Sequence, residues 1–264
     1  MQFQYLLVDH STAVARVTLN RPELHNAFSD EVIVELRRAF DQLAATPHVR
    51  VIVLAGAGKS FSAGADVNWM RRMVDYSRAD NERDARAMAE MFRAIDRSPA
   101  PVIARVHGAA LGGGTGLAAV ADIAVAAESA KFALSEVRLG IIPAVISPYV
   151  LAKIGVARAR EYFLTGERID ARRAAEIGLV AHVVPDSELD AEVARITGEL
   201  LKSGPQAVAT AKALIRKVAA ETDPDRVLTL TSQAIAERRA SDEGQEGLKA
   251  FLEKRPPSWI KDAE

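Results

Sequence analysis

The chain has 264 residues, a formal net charge of -1 and no cysteine. That length can bury a sizeable core, the near-neutral charge argues against a nucleic-acid partner, and the missing thiols exclude disulfides and cysteine nucleophiles. No apolar run approaches the ~20 residues of a membrane-spanning helix. The opening MQFQYLLVDH has no basic stretch ahead of an apolar one, so it does not read as a secretory leader. The expectation is a soluble, cytoplasmic protein with neither a membrane nor a nucleic-acid partner.

Residues 3–8 and 13–19 read as strands joined by a turn, and the Asn20-Arg21-Pro22 sequence stops the second, because proline cannot donate to a ladder. Ser29 is a helix N-cap, with Asp30 and Glu31 in the first turn. Val32, Leu36, Ala39, Phe40 and Leu43 then recur at helical spacing to about Ala45. Residues 49–55 form a continuous apolar run, as expected of a strand buried on both faces. A glycine-bearing turn, GAGKSFSAGAD at 56–66, leads into residues 67–97, whose charged, methionine-bearing pattern predicts one long helix ended by SPAP at 98–101. Met70, Met73, Met88 and Met91 read as core filler or as a pocket wall.

A strand at 101–106, three glycines (Gly112, Gly113, Gly114), a small-residue helix at 115–121 and a strand at 122–127 follow. A lone carboxylate, Glu136, then falls in a loop. Strand, turn and helix thus recur as an architectural unit without any sequence repeat. From about Ala144 the pattern is mostly helical, at 157–165, 171–178, 187–201, 205–220, 225–238 and 243–253, with a short strand at 178–184. Strands first and helices last predict an α/β core with a helical C-terminal part. Residues 1–185 and 186–264 form the two regions, with a soft boundary near Pro185.

Glycines just ahead of a helix leave backbone N–H groups unpaired, and the helix dipole favours negative charge there. That suits a phosphate, or equally an oxyanion developing on a carbonyl; a tight strand-to-helix turn accounts for the same glycines. Sharper motifs fail on spacing. A dinucleotide fingerprint starting at Gly112 would need a glycine where Leu117 stands, and a P-loop ending Gly58-Lys59-Ser60 would need one at Val53. Neither a G-x-S-x-G elbow nor an H-E-x-x-H helix is present, and the five histidines have no ligand spacing, so no metal site is expected.

Five stretches in order carry a wider likeness: NRPELHNAF (20–28), FSAGAD (61–66), HGAALGGG (107–114), SEVRLGIIP (135–143) and LTGERIDARRAAEIGLVAHVVP (164–185). Together they resemble the enoyl-CoA hydratase/isomerase (crotonase) superfamily. The resemblance implies a ββα spiral core and a C-terminal helical region that assembles trimers, often paired as hexamers. It implies acyl-CoA as substrate, with CoA arriving as part of it and no further cofactor.

Carried onto this sequence, the backbone N–H groups of Ala65 and Gly113, next to Gly112, would hold the thioester oxygen. Ala63, Asp66 and Val67 would line the adenine end of CoA, and Leu24 and His25 would wall its groove. Phe251 and Lys254 would reach a neighbouring subunit's CoA, or simply end an amphipathic helix. Glu136 falls on the family's second acid/base position. The family's first glutamate is absent, because Gly116 stands in its place. GGGTGL followed by SEVRLGIIPAVISPYV further resembles bacterial methylglutaconyl-CoA and isohexenylglutaconyl-CoA hydratases of leucine and terpenoid breakdown. The carboxylate of such a substrate would seek a cation, for which Arg138, Arg71 and Arg72 are candidates. Hydration of a 2-enoyl thioester is the first expectation. Double-bond isomerisation with one glutamate, decarboxylation or thioester hydrolysis on the same scaffold, and a non-catalytic acyl-CoA-binding homologue stay open.

Overall fold

The computed structural model describes residues 2–261. Strands β1 (Leu6–Asp9) and β2 (Val14–Leu19) pair antiparallel, with Val8 opposite Val17. Helix α1 (Asp30–Ala44) starts at Ser29, whose side chain accepts from the Val32 N–H, and its buried stripe is the one the spacing predicts. β3 (Val51–Gly56) runs parallel to β2. Its alternate residues face opposite layers: Ile52 and Leu54 join the larger core, Val51 and Val53 a second one.

Residues 67–97 depart from the single helix expected. α2 (Val67–Met73) stops, and α3 (Arg78–Arg97) restarts at Ser77. There the Ser77 hydroxyl accepts from the Asp80 N–H while the Asp80 carboxylate accepts from the Ser77 N–H. This reciprocal cap satisfies donors that a continuous helix would have bonded inwards, and it fixes a corner.

The remaining strands are β4 (Val102–Val106), β5 (Ala109–Leu111), β6 (Ile123–Ala127), β7 (Lys131–Ala133), β8 (Arg168–Asp170) and β9 (His182–Val184). Between and after them lie α4 (Gly113–Val120), α5 (Ser147–Thr165), α6 (Ala171–Glu176), α7 (Leu189–Leu201), α8 (Pro205–Ala220), α9 (Pro224–Ala240), α10 (Asp242–Leu252) and α11 (Ser258–Lys261). α5 starts at Ser147 rather than at Ala157 and bends at Gly155, whose φ is 69°.

One six-stranded sheet has the order β1-β2-β3-β4-β6-β9, parallel except for β1; a second, three-stranded sheet has the order β5-β7-β8. The residues themselves do not announce the second sheet, although the family resemblance implies a ββα repeat, because strands of three residues are too short to show a period of two. It extends further as isolated bridges, Phe28 with Ala65 and Ser62 with Ala110. Each turn of chain therefore gives a long strand to one layer and a short extended piece to the other before its helix begins. The repeat is ββα.

Leu189, Val193 and Ile196 of α7 cover Val51, Val53, Ile103 and Val125 on the far face of the large sheet. α8 is tied down by Lys212, whose Nζ lies 2.7 Å from Asp122 Oδ2.

Candidate active site

Two loops that each end in a helix meet side by side. The Phe61 N–H donates to His107 O (2.9 Å), the Ser62 N–H to Ala109 O (2.9 Å), and the Leu111 N–H to Ser62 O (2.9 Å). Close approach requires glycine at two places. A Cβ on Gly114 would lie 2.2 Å from Ser62 O, and one on Gly64, at φ +92°, would lie 3.0 Å from Leu111 O.

Phe28 joins the two loops at their helical ends. Its N–H donates to Gly64 O (2.6 Å) and its O accepts from the Asp66 N–H (2.7 Å). That parallel pairing takes the groups on either side of Ala65, so Ala65's own N–H points away from Phe28. The Phe28 ring meanwhile lies against Gly113, where a Cβ would sit 2.3 Å from Cε2. Gly113 is the first residue of α4, so its N–H has no intrahelical acceptor. Neither the Ala65 nor the Gly113 N–H donates to any group among the described residues.

Glu136 is brought to the same helix end by β7. The Gly112 N–H donates to Ala133 O (2.8 Å), and the Thr115 hydroxyl lies 2.7 Å from Ala110 O and 2.9 Å from Ala133 O. A 3₁₀ turn over Ser135–Leu139 then swings the carboxyl back over Gly112, where an added Cβ would lie 3.3 Å from Glu136 Oε1. The other oxygen, Oε2, is buried without a partner. Burial pushes the Glu136 carboxyl above its ordinary range, against a smaller opposing hydrogen bond from its own backbone. A carboxyl raised in this way and aimed at the helix end is suited to taking and returning a proton.

Gly116 faces apolar side chains. A Cβ there would lie 2.3 Å from Ile146 Cγ2 and 3.0 Å from Phe92 Cζ, and the Phe92 ring stacks on Tyr149 at 5.8 Å. Ile146 thus fills the space a side chain at 116 would enter. On the Gly113 side Met88 joins Phe28, with Cε 3.3 Å from the Cβ position.

The other expected residues divide into groups. Leu24, His25 and Ala63 come together, because the Ala63 N–H donates to His25 O (2.9 Å) and His25 Nδ1 lies 3.0 Å from Ser60 Oγ; Val67 is exposed on the first turn of α2. Asp66 turns inward. It is 5% exposed, caps α2 through the Asn68 N–H (2.7 Å), and pairs with Arg21 Nη2 at 2.7 Å. Burial alone would raise its pKa, but the Arg21 guanidinium and the Asn68 N–H outweigh it and hold the carboxyl below its usual range. The side chain is therefore committed to the loop and not presented to solvent.

Phe251 is 81% exposed at the end of α10, and Lys254 follows in a left-handed turn with φ 54°. No hydrogen bond or ion pair among the described residues joins them to the two loops. The three candidate arginines have other partners: Arg138 donates to Thr165 O, Arg71 to Asn68 and Arg72 to Asp30. Sequence reasoning missed Arg21, Phe92 and Ile146. Only contacts across the fold give those residues their roles.

Removing the Asp66 carboxylate should be costly. Asp66→Ala loses a helix cap and strands a largely buried guanidinium, so urea unfolding at pH 7 should show a loss of about 3 kcal/mol. Because the folded carboxyl titrates below the ordinary aspartate value of 3.8, this stabilisation is present above that value and is lost as the pH falls through the depressed one. The gap between variant and parent should close in acid.

The sequence profile of the Enoyl-CoA hydratase/isomerase family matches residues 9–262. The chain belongs to that family of enzymes. Among its relatives are a crotonyl-CoA hydratase of Syntrophomonas wolfei, 35% identical over 98% of this chain and 99% of that one, and a short-chain-enoyl-CoA hydratase of Clostridium acetobutylicum, 32% identical over 97% of each. The solved structure of an enoyl-CoA hydratase from Shewanella pealeana superposes with a TM-score of 0.94 at 41% identity, covering 98% of this chain and 97% of that one. The ββα spiral with its C-terminal helices is the crotonase fold.

Proposed function

We propose that the chain hydrates 2-enoyl-CoA thioesters, with the Ala65 and Gly113 amides on the thioester oxygen and Glu136 moving the proton. The observation that carries this reading is the arrangement around Phe28. Its backbone turns one unpaired N–H outward and its ring lies against Gly113, which carries the second, while the only carboxyl oxygen among the described residues that is buried without a partner belongs to Glu136, set over Gly112. Glu136 takes a proton from water and the hydroxide oxygen bonds to Cβ. The double-bond electrons move onto the thioester oxygen as an enolate held by the two amides, and the proton then returns to Cα. Atoms and charge balance without a redox cofactor or a metal.

A single acid also suffices for the second reading, a shift of the double bond between Cα and Cγ, and Gly116 with its apolar neighbours keeps that reading alive. A branched glutaconyl substrate has less support. Its second carboxylate would need a cation; Arg72 is already paired with Asp30, whereas Arg138 and Arg71 donate only to the neutral oxygens of Thr165 and Asn68 and are the candidates such a substrate would have to reach. The same proposal takes the chain as a cytoplasmic homo-oligomer joined through its C-terminal helices, where Leu228, Phe251 and Leu252 are exposed.

Ultraviolet absorbance of a panel of straight, branched and dicarboxylic 2- and 3-enoyl-CoAs separates these outcomes. Hydration removes the absorbance of conjugated 2-enoyl substrates, and isomerisation raises that of 3-enoyl ones. CoA binding with no change in either would sink both enzymatic readings.

A further inference from the structure

The two loops are fastened at their far end by a histidine that the proposed chemistry does not use. His107 follows β4, and its ring lies between two partners. Arg105 Nη1 is 3.1 Å from Nδ1, and Gly58 O is 2.9 Å from Nε2. A guanidinium has only donors, so Nδ1 must accept, and the ring proton sits on Nε2 and is donated to Gly58 O. Arg105 is itself held by two contacts to Asp190 of α7, Nε to Oδ1 at 2.7 Å and Nη2 to Oδ2 at 2.8 Å. The fork-shaped pairing leaves the guanidinium little freedom to leave the ring.

Gly58 is a tight spot in the loop that leads to Ala65. Its φ is +72°, and a Cβ there would lie 2.7 Å from Pro22 Cβ. The next residue is pressed on the opposite side, where Lys59 O would lie 2.0 Å from a Cβ on Gly108. The His107 carbonyl also accepts the Phe61 N–H (2.9 Å). One residue therefore holds the loop twice, by its ring at Gly58 and by its backbone at Phe61, and the pairing then runs on through Ser62 to the loop of Gly113.

We propose that His107 is a positioning residue, which together with Arg105 and Asp190 sets the 56–66 loop against the 107–114 loop and so places the Ala65 N–H relative to that of Gly113. This rests on the reading in which those two amides hold the thioester oxygen. Displacement of a donor by about 1 Å can cost ~10²-fold in rate without touching the reacting groups. The ring's role is geometric, so a side chain carrying one acceptor and one donor in similar places can substitute for it. Glutamine has that pair.

The test is steady-state hydration of crotonyl-CoA by the parent, His107→Ala, His107→Gln and Arg105→Met, with thermal midpoints measured alongside. The alanine variant should lose about 10- to 100-fold in kcat with KM within about 3-fold, the glutamine variant should recover most of that loss, and Arg105→Met should fall between them. An alanine variant that melts earlier yet keeps the parent kcat would show a purely structural role and overturn the proposal, as would a glutamine variant no better than alanine. If the alanine variant does not fold, an unchanged kcat in Arg105→Met overturns it instead. A parent enzyme inactive on every enoyl-CoA would refute the proposed function, an outcome distinct from these.

Discussion

Glu136→Gln is expected to lower kcat for hydration by about 10²–10⁴-fold, the usual contribution of a positioned general acid/base, while CoA affinity stays within about 3-fold. The glutamine keeps the shape over Gly112 but can neither take nor return a proton. In the parent, kcat/KM should fall on the acid side of an ionisation lying above the ordinary glutamate value of 4.5, because burial raises the Glu136 carboxyl. The same burial has a consequence for stability. A carboxyl whose folded pKa is raised favours the folded state at low pH and loses that advantage as the pH rises through the raised value. Above that value the glutamine variant is relieved of a half-buried charge whose Oε2 has no partner, so its thermal midpoint there should match or exceed that of the parent. Lost turnover with undiminished stability marks a residue kept for chemistry. A glutamine variant that retains activity would remove Glu136 from the mechanism.

Gly114→Ala is expected to damage both the fold and the rate. A Cβ at 114 would lie 2.2 Å from Ser62 O and 3.0 Å from Ser62 C. Both are backbone atoms of the neighbouring loop, which hydrogen bonds to Ala109 and Leu111 hold in place. A flexible side chain could swing clear; a paired backbone cannot. The loops must separate, at a stability cost of about 1–3 kcal/mol for overpacking. Because Ser62 precedes Ala65 and Gly114 follows Gly113, the separation also spreads the two donors. Loss of one donor typically costs ~10²–10³ in kcat, so a drop of about 10²-fold with a lowered melting temperature is expected. An alanine variant within about 3-fold of the parent kcat would show that the spacing of the loops does not matter.

Much of this arrangement can be read in the amino-acid sequence, for physical reasons that differ from place to place. The run at 49–55 is apolar throughout because β3 is buried on both faces, and the Ser29 cap with its stripe marks α1 without ambiguity. The glycines of 56–66 and 112–114 announce close backbone approach, although the partner in each approach lies on a distant segment.

Less visible was the second sheet. β5, β7 and β8 have three residues each, too few to display alternation, and their pairing across the ββα turns is a property of the whole spiral. The corner at 74–77 does have a sequence mark, the Ser77-x-x-Asp80 box, but it is easily lost inside a long charged stretch. Gly116 was legible as a departure from the family pattern. Ile146 and Phe92, which fill the space beside it, come from elsewhere in the fold. Phe28 lies in a motif that carries the family likeness, yet nothing local says that its ring and its backbone serve two different amides.

The most direct measurement is the mass of the product formed from crotonyl-CoA in deuterated, oxygen-18 water. Addition of water by Glu136 between the two amides predicts one solvent oxygen at Cβ and one deuterium at Cα, both abolished in Glu136→Gln. Deuterium at Cγ without solvent oxygen, or labelling that survives the substitution, would contradict it.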